Sequence, residues 1–205
     1  NGILNAPDYT RTCSCAYQMQ TSLGLIHMPE LEYWTFGAQV PDEDLAINFG
    51  APGDRRGSGG KMWLDFPEAG SPSVKVDVKI EPKSTEIFRH HSSRIKSGEL
   101  KWVGASGLEG VEQVVIKLKS NGQYRVKLHF TEPEHVQSAQ RIFDVSLQDK
   151  TVLSKLDIAQ VAGGKHQVIA REFKVAVMDQ TLKINLKAYD GTKPVLCGVQ
   201  WVKIP

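Results

Sequence analysis

The sequence has no apolar run that approaches the ~20 residues of a membrane-spanning helix. It also has little net charge, because 25 Lys and Arg face 23 Asp and Glu, for a formal net charge of +2. This balance gives no general attraction to nucleic acid or to an anionic membrane. With 40% hydrophobic residues, a chain of 205 residues can bury a core without metal or disulfide support. The composition therefore predicts a soluble globular protein.

Cysteine is scarce and odd in number: Cys13, Cys15 and Cys197. At most one disulfide can form within the chain, so one thiol stays free or pairs outside it. Cys13 and Cys15 lie too close for an easy mutual bridge, given the ~5.5–6 Å Cα spacing of disulfides. We expect one of them to pair with a segment outside the chain. The chain begins at Asn1 without a leader pattern, which we interpret as a mature or excised piece.

Helical periodicity is nearly absent, and short runs of alternating apolar and polar residues take its place. Residues 74–80 and 124–130 alternate without a break, which is typical of strands. Asn121-Gly122, a dipeptide preferred in two-residue hairpin turns, joins two of the runs, and 148–150 is another tight connection. The other predicted strands are 45–49, 111–118, 141–147, 151–156, 172–177, 182–188 and 195–204.

Strands with one apolar face each must bury those faces against one another. We therefore predict an all-β fold, an antiparallel β-sandwich or jelly roll. Parallel βαβ units are excluded, because no helix-length segment separates the strands. The polar stretch 41–44 divides the chain into an N-terminal extension or domain remnant at 1–40 and a sandwich domain at 41–205.

Seven motifs keep a fixed order from residue 45 onward. They occupy 46–50, 63–65, 124–132, 140–145, 156–158, 162–164 and 196–199. In order and spacing they resemble the malectin-like carbohydrate-binding domain. The resemblance implies a galactose-binding-like β-sandwich that binds an oligosaccharide or polysaccharide through loops at its edge. It also implies an extracellular, cell-surface or periplasmic setting.

A second resemblance concerns the N-terminal extension. Residues 13–17, 20–23 and 27–30 are similar to the segment that joins a pyrroloquinoline-quinone-type β-propeller to a malectin-like domain in large secreted bacterial proteins. This resemblance implies that 1–40 includes a remnant of the last propeller blade. An adjacent propeller would then be a partner, and the missing cysteine partner would lie upstream.

The malectin resemblance assigns ligand residues to two loops. Asp190, directly after Tyr189, matches the family's ligand-binding Asp in the loop before the last strand. Where animal malectin carries a Tyr-Phe pair that faces the sugar, this sequence has Glu134-His135. We expect all four residues to contact ligand, while the departure leaves the identity of the sugar open.

The remaining candidates come from the chemistry of sugar binding, which needs flat rings and planar polar groups. Asp54 and Arg55 lie in a glycine-rich loop that lets a ligand approach the backbone, or that is only a solvated surface loop. Arg89 and His90 belong to the densest polar cluster, where a hydroxyl-binding or structural role is favoured over metal binding. Trp102 is either a stacking platform or a core residue.

Catalysis and metal binding have weaker support. Glu132 and Glu134 form a carboxylate-rich turn, but glycoside hydrolysis needs two acids ~5–9 Å apart across a cleft, and Glu132 fits a structural role. The Gly-x-Ser-x-Gly nucleophile elbow, the phosphate-binding loop motif and the dinucleotide-binding motif are absent from the sequence. We expect no cofactor, although Asp42, Asp44 and Asp65 offer oxygen atoms for a structural Ca²⁺.

These observations predict a non-catalytic carbohydrate-binding module within a larger secreted protein. Arg55, Arg89 and Arg94 point to an anionic sugar. The alternative is a structural or protein-interaction domain, packed against a β-propeller, whose sugar site is degenerate. A flat apolar patch at 33–36 would favour that alternative, and two acids or imidazoles in one deep cleft would favour an enzyme.

Overall fold

The computed structural model describes residues 20–21, 24–25, 43–57, 60–67, 76–134, 137, 139–189 and 191–205. These residues form short strands, one α-helix, α1 (Ile158–Ala162), and two 3₁₀ turns, Ser92–Arg94 and Val103–Ala105. The strands are β1 (Gln20–Thr21), β2 (Gly24–Leu25), β3 (Asp44–Phe49), β4 (Arg55–Arg56), β5 (Met62–Phe66), β6 (Val78–Glu81), β7 (Glu86–Arg89), β8 (Ser106–Glu109), β9 (Gln113–Lys117), β10 (Gly122–Thr131), β11 (Ile142–Leu147), β12 (Lys150–Asp157), β13 (Val168–Val177), β14 (Thr181–Ala188), β15 (Val195–Leu196) and β16 (Gly198–Ile204).

Two sheets form the sandwich and confirm the all-β prediction. The larger sheet has the order β13-β10-β16-β3-β5-β4, and the smaller has the order β12-β11-β14-β9-β6. A third, short sheet has the order β15-β8-β7, and β1 pairs only with β2. None of the helices in the described part of the chain has the length and apolar character of a membrane span.

The core is built by strict alternation. Along β10, Tyr124, Val126, Leu128 and Phe130 are fully buried on one face. They pack into the same cluster as inward residues of the smaller sheet such as Phe143. Trp63, Phe130, Phe143 and Trp201 are all buried. Period-two patterning thus sets which side of each strand faces the opposite sheet.

One strand pair departs from the antiparallel prediction. β3 and β5 run parallel, with Ile47 opposite Leu64. The short strand β4 pairs antiparallel with β5, with Arg55 opposite Trp63. Between β3 and β5 the chain forms β4 at the sheet edge, and β4 runs antiparallel to both of them. β5 therefore runs in the same direction as β3.

The turn at Asn121-Gly122 is not a hairpin, contrary to the preference of that dipeptide. β9 pairs with β14 and β6, whereas β10 pairs with β13 and β16, so the turn crosses from one sheet to the other. Asn121 Oδ1 accepts a hydrogen bond from the backbone N–H of Gln180 at 2.8 Å. Asn121 therefore links two connections that cross between the sheets, the one from β9 to β10 and the one from β13 to β14. It does not close a hairpin.

The tight connection at 148–150 is confirmed as part of a two-residue hairpin. Leu147 pairs with Lys150, and both intervening residues have positive φ, 48° at Gln148 and 65° at Asp149. Positive φ at both central positions is the backbone of a type I′ turn, which matches the right-handed twist of paired strands.

A segment between β7 and β8 covers the outer face of the larger sheet. Gly104 lies so close to this face that an added Cβ would come within 2.3 Å of Thr131 Oγ1. Beneath the segment, His129 is fully buried with its ring 5.2 Å from that of Trp63. The larger sheet is therefore packed on both faces near this end.

Candidate functional site

One end of the sandwich gathers the loops that carry most of the predicted ligand residues. We call this end the rim and define it by the described residues 89–96, 132–134, 137, 139–141, 165–167, 189 and 191–194. It lies where β10 ends, β13 begins, β14 ends and β11 begins, because Thr131 pairs with Val168 and Tyr189 N–H donates to the Ile142 carbonyl. Antiparallel pairing thus brings four distant loops together.

Arg141 holds two rim loops in place. Its Nε donates to Glu132 Oε2 at 2.8 Å, its Nη2 donates to Glu109 Oε1 at 2.8 Å, and its Nη1 donates to the Lys193 carbonyl. The side chains of Arg141 and Glu132 are only 3% and 1% exposed. Three acceptors bind the N–H groups of the buried Arg141 guanidinium. These charge-assisted hydrogen bonds offset the cost of burying its charge.

Glu132 has a structural role. Its Oε1 accepts the backbone N–H of Glu134 at 3.0 Å, while Oε2 is bound by Arg141. Both carboxylate oxygens are therefore engaged inside the protein, and the residue is fully buried. Glu132 and Glu134 do not form the two-acid arrangement that glycoside hydrolysis requires.

Two imidazoles meet at the rim. The rings of His90 and His166 lie 5.6 Å apart in an edge-to-face arrangement. Arg94 Nη1 donates to His90 Nδ1 at 3.3 Å, so the ring accepts at Nδ1 and carries its proton at Nε2. Within the described residues, His90 Nε2 and His166 Nδ1 are buried without a hydrogen-bond partner.

The electrostatics around these imidazoles are mainly positive. Burial lowers the pKa of His166, and Arg94, His90, Lys165 and Lys96 lower it further. Burial also lowers the pKa of His90, followed by the charge of Arg94, while Glu134 raises it. Burial is the largest cause of both shifts, and the charges that act on His166 are all cationic.

The neighbours of His90 in the sequence have other partners. Arg89 Nε donates to the Gly50 carbonyl at 2.6 Å. His91 Nδ1 accepts from the backbone N–H of Ser93 at 3.2 Å and caps the 3₁₀ turn. The two adjacent histidines therefore have separate environments.

Tyr189 is half-buried at the rim, and its hydroxyl donates to Asp144 Oδ2 at 2.8 Å. That contact raises the pKa of Tyr189. Asp190 and His135 lie outside the described residues, so their predicted ligand contacts stay predictions. Glu134 is exposed at the rim, in a position open to a ligand.

Asp54, Arg55 and Trp102 lie apart from the imidazole pair. Asp54 is 5% exposed, and its Oδ1 accepts the backbone N–H of Asp65 at 2.9 Å. This geometry gives Asp54 a structural contact, and its role in ligand binding stays a prediction. The guanidinium of Arg55 lies 4.6 Å from the ring centroid of half-buried Trp102. Trp102 in turn packs edge-to-face on Trp63 at 5.4 Å.

Metal binding has no support from the described part of the chain, where no three His, Cys, Asp or Glu residues converge as a metal-binding group. Of the residues offered for Ca²⁺, Asp44 forms an ion pair with Lys61. Asp65 is buried beside Asp54, and Asp42 lies outside the described residues. The calcium site stays a prediction.

His166 and Arg141 are the rim residues whose roles the sequence did not predict. His166 comes two residues after the motif 162–164, and Arg141 is the second residue of the motif 140–145. Their partners, His90 and Glu132, are assigned only once the pairing of β10 with β13 is known. Sequence spacing alone does not contain that information.

The fold and the rim define an all-β sandwich that presents loops at one end. Residues 109–198 match the family model described as Malectin domain, which confirms the malectin resemblance over that stretch. The comparisons give no support to the propeller resemblance, and the segments that carry it lie almost entirely outside the described residues.

Among curated proteins, the chain is similar to two plant receptors. It is 37% identical over 73 residues to a probable LRR receptor-like serine/threonine-protein kinase of Arabidopsis thaliana, covering 33% of this chain and 7% of that protein. It is 26% identical over 91 residues to Receptor-like protein 4 of Arabidopsis thaliana, covering 43% of this chain and 14% of that protein. The match thus spans a small part of each relative, and these relatives give no support to a bacterial origin.

Among solved structures, the chain resembles the plant receptor-like kinase FER, with a TM-score of 0.63, 16% identity and coverage of 78% of this chain and 49% of that chain. It also resembles a β-glucuronidase of Bacteroides uniformis, with a TM-score of 0.61, 14% identity and coverage of 79% and 18%. At these identities the similarity concerns the fold alone.

Proposed function

We propose that the chain is a non-catalytic binding module that holds an acidic saccharide at the rim. The observation that carries the proposal is the contact of the His90 and His166 rings, 5.6 Å apart, with Arg94 Nη1 donating to His90 Nδ1 at 3.3 Å. Lys96 and Lys165 add positive charge that acts on His166, and the charge of Glu134 acts on His90. Uronate or sulfate groups match such a surface, because guanidinium and ammonium groups bind oxyanions by charge-assisted hydrogen bonds.

The rest of the rim supplies hydrogen bonds of the kind that hydroxyl groups need. Glu134 is exposed beside the cationic residues, and the loop that carries Asp190 is anchored through Thr192, whose Oγ1 donates to the Tyr189 carbonyl at 2.9 Å. Carboxylates accept from sugar hydroxyls. Because Glu132 and Arg141 fix the loop backbones from inside, the site is preorganised, which reduces the entropic cost of binding.

The proposed setting is extracellular, within a larger protein. The similarity of the chain to the ANX2 ectodomain of Arabidopsis thaliana, with a TM-score of 0.61 over 78% of the chain, supports this setting. Saccharides of cell walls and cell surfaces are the acidic polymers available there. The non-catalytic role is supported by the internal engagement of Glu132.

The test is calorimetric titration with tetragalacturonate, with maltotetraose as a neutral comparison. We expect saturable binding of the uronate, at least ten times tighter than that of maltotetraose. Arg94→Gln should weaken uronate binding about tenfold, the equivalent of ~1.4 kcal/mol. Arg125→Gln is the matched control, because Arg125 is also exposed but pairs with Glu172 on the face of the sheet. Equal effects of the two substitutions, or no saturable binding, would remove the proposal.

A peptide ligand is the second candidate. The chain is similar in fold to the receptor-like kinase FER, for which a complex with the plant peptide RALF23 and LLG2 is known, with a TM-score of 0.62. A titration with an acidic peptide such as tetraglutamate separates the two candidates. Binding of the peptide without binding of any acidic oligosaccharide would favour the interaction domain.

A further inference from the structure

A second cavity lies beside the rim, on the outer face of the smaller sheet. It is a cleft of about 770 Å³, formed by the turn after β6, the connection between β8 and β9, the end of β14 and the loop 191–194. A shallower depression of about 470 Å³ shares Glu81, Pro82 and Glu112 with it. The two together form a groove of a size that accommodates small ligands.

The cleft contains a pair of side-chain amides. Gln113 and Asn185 are directly opposite each other on β9 and β14, and Gln113 Nε2 donates to Asn185 Oδ1 at 2.7 Å. An amide has two donor protons and a carbonyl oxygen with two lone pairs. The bond therefore leaves an acceptor on Gln113 and an NH₂ group on Asn185 side by side, which is the complement of a sugar hydroxyl pair.

The charges that line the cleft are nearly balanced. The lining includes the carboxylates of Glu81, Glu109 and Glu112 and the ammonium groups of Lys187 and Lys193. Glu109 pairs with Arg141, and Lys193 pairs with Glu86 at 2.8 Å. The charged lining residues thus carry both signs, in contrast to the cationic groups around His166. A ligand with strong net charge would meet like charges here, whereas a polyol would not.

Hydrogen bonds to neighbouring strands and loops hold the walls of the cleft in place. Gly110 N–H donates to the Pro194 carbonyl at 2.8 Å, and Thr192 Oγ1 donates to the Ile142 carbonyl at 3.1 Å. Arg141 bonds both to the Glu109 carboxylate and to the Lys193 carbonyl. The loop 191–194 is therefore fixed relative to β8 and β11.

We infer that this cleft is a second saccharide site, for a neutral, hydroxyl-rich segment of a glycan chain. The inference rests on the proposed function in that both sites take glycans. The cleft shares the loop 191–194 with the rim, but it differs from the rim in its amide pair and in its nearly balanced charges. Among the described lining residues none is aromatic, so the site lacks a stacking platform, and we expect it to bind more weakly than a site that has one.

The test is heteronuclear NMR of the whole chain titrated with maltotetraose, cellotetraose and xylotetraose. With at least one of them, the side-chain NH₂ resonances of Gln113 and Asn185 should shift saturably. Asn185→Asp keeps the size of the side chain but removes the NH₂ donor, and should weaken binding about tenfold. Gln113→Leu removes the Gln113 acceptor and is a second variant with the same expectation. Ser146→Ala, on β11, changes a hydroxyl outside the cleft lining and should leave binding unchanged.

The outcomes also separate this inference from the proposed function. If the neutral tetrasaccharides move only rim resonances, or none at all, the second site is overturned while uronate binding at the rim is unaffected. If tetragalacturonate alone moves the Gln113 and Asn185 amides, the neutral character of the cleft is wrong. If the amides shift with a neutral sugar and Arg94→Gln does not alter that shift, the cleft binds on its own.

Discussion

Arg141 and Glu132 form an almost completely buried ion pair that connects β11 to the loop after β10, with Nε and Oε2 2.8 Å apart. The same guanidinium binds Glu109 and the Lys193 carbonyl. One side chain therefore positions both the rim loops and the wall of the cleft.

We expect Arg141→Met to destabilise the fold by about 3–5 kcal/mol, because it leaves the Glu132 carboxylate buried without its cation. The double variant Arg141→Met with Glu132→Gln should recover more than half of that loss. Urea unfolding followed by tryptophan fluorescence measures both. Lys183→Gln, at an exposed pair with Asp179, is the control and should cost less than ~1 kcal/mol. Similar losses for the single and double variants would contradict the assignment.

His129 should make stability depend on pH. Burial, together with the charge of Lys127, lowers the pKa of His129 to about 4. The unfolded chain takes up this proton near pH 6.5, and the folded chain only near pH 4, so stability is lost as pH falls through that window. The loss from this residue is about 3 kcal/mol between neutral pH and pH 4.

The measurement is the free energy of unfolding at a series of pH values for the wild type and for His129→Gln. The variant should show a smaller slope between about pH 6.5 and pH 4. The remaining slope includes His90 and His166, whose pKa values are lowered in the same direction by burial. Equal slopes in variant and wild type would show that His129 is not buried as described.

Cys197 should be unreactive in the folded protein. It is fully buried and free, and burial raises the pKa of its thiol to about 12. Because the thiolate is the reacting form, a disulfide reagent should modify it only after unfolding. The experiment uses a Cys13→Ser and Cys15→Ser background, so that Cys197 gives the whole signal. Rapid labelling in native buffer would contradict the burial.

Binding of an acidic saccharide at the rim should strengthen as pH falls. An anion close to His90 and His166 favours their protonated forms, so binding takes up protons below about pH 6.5. Affinity for tetragalacturonate at pH 5 should exceed that at pH 7.5 by several fold, and His166→Gln should reduce the difference. His91→Gln is the control, because His91 is engaged in capping the 3₁₀ turn. An affinity independent of pH would argue against this site.

Asp190→Ala tests the loop that the malectin resemblance identified. We expect the substitution to abolish binding of tetragalacturonate while it changes the free energy of unfolding by less than ~1 kcal/mol, as for a surface residue. Calorimetry and urea unfolding of the same preparation measure the two quantities. Retained binding would show that the ligand lies elsewhere on the rim.

The strands could be predicted from the sequence because alternation depends only on neighbours along the chain. Predicted strands such as 124–130 and 182–188 correspond to β10 and β14. Alternation does not say which strands pair, however. The dipeptide Asn121-Gly122 therefore favours a hairpin in the sequence, although in the structure the turn connects strands of two different sheets.

The residues of the candidate site could be predicted less completely than the strands, because their contacts depend on which strands pair. The loop polar residues Arg89, His90 and Glu134 are visible in the sequence, and the structure places them at one end. The pairing of His90 with His166, 76 positions along the chain from it, follows from topology. The contact between the amides of Gln113 and Asn185 cannot be predicted from the sequence, because each is a polar residue within an ordinary alternating strand.

The hairpin at Gln148 and Asp149 offers a practical attachment point. Together with the turns at Asn121 and Gln180 it forms the end opposite the rim, since β10 runs from Gly122 to Thr131 between the two ends. At ~3.3 Å per residue, the ten residues of β10 separate them by about 30 Å. A dye or a sensor surface coupled at Asp149 would therefore leave both proposed glycan sites facing the solution.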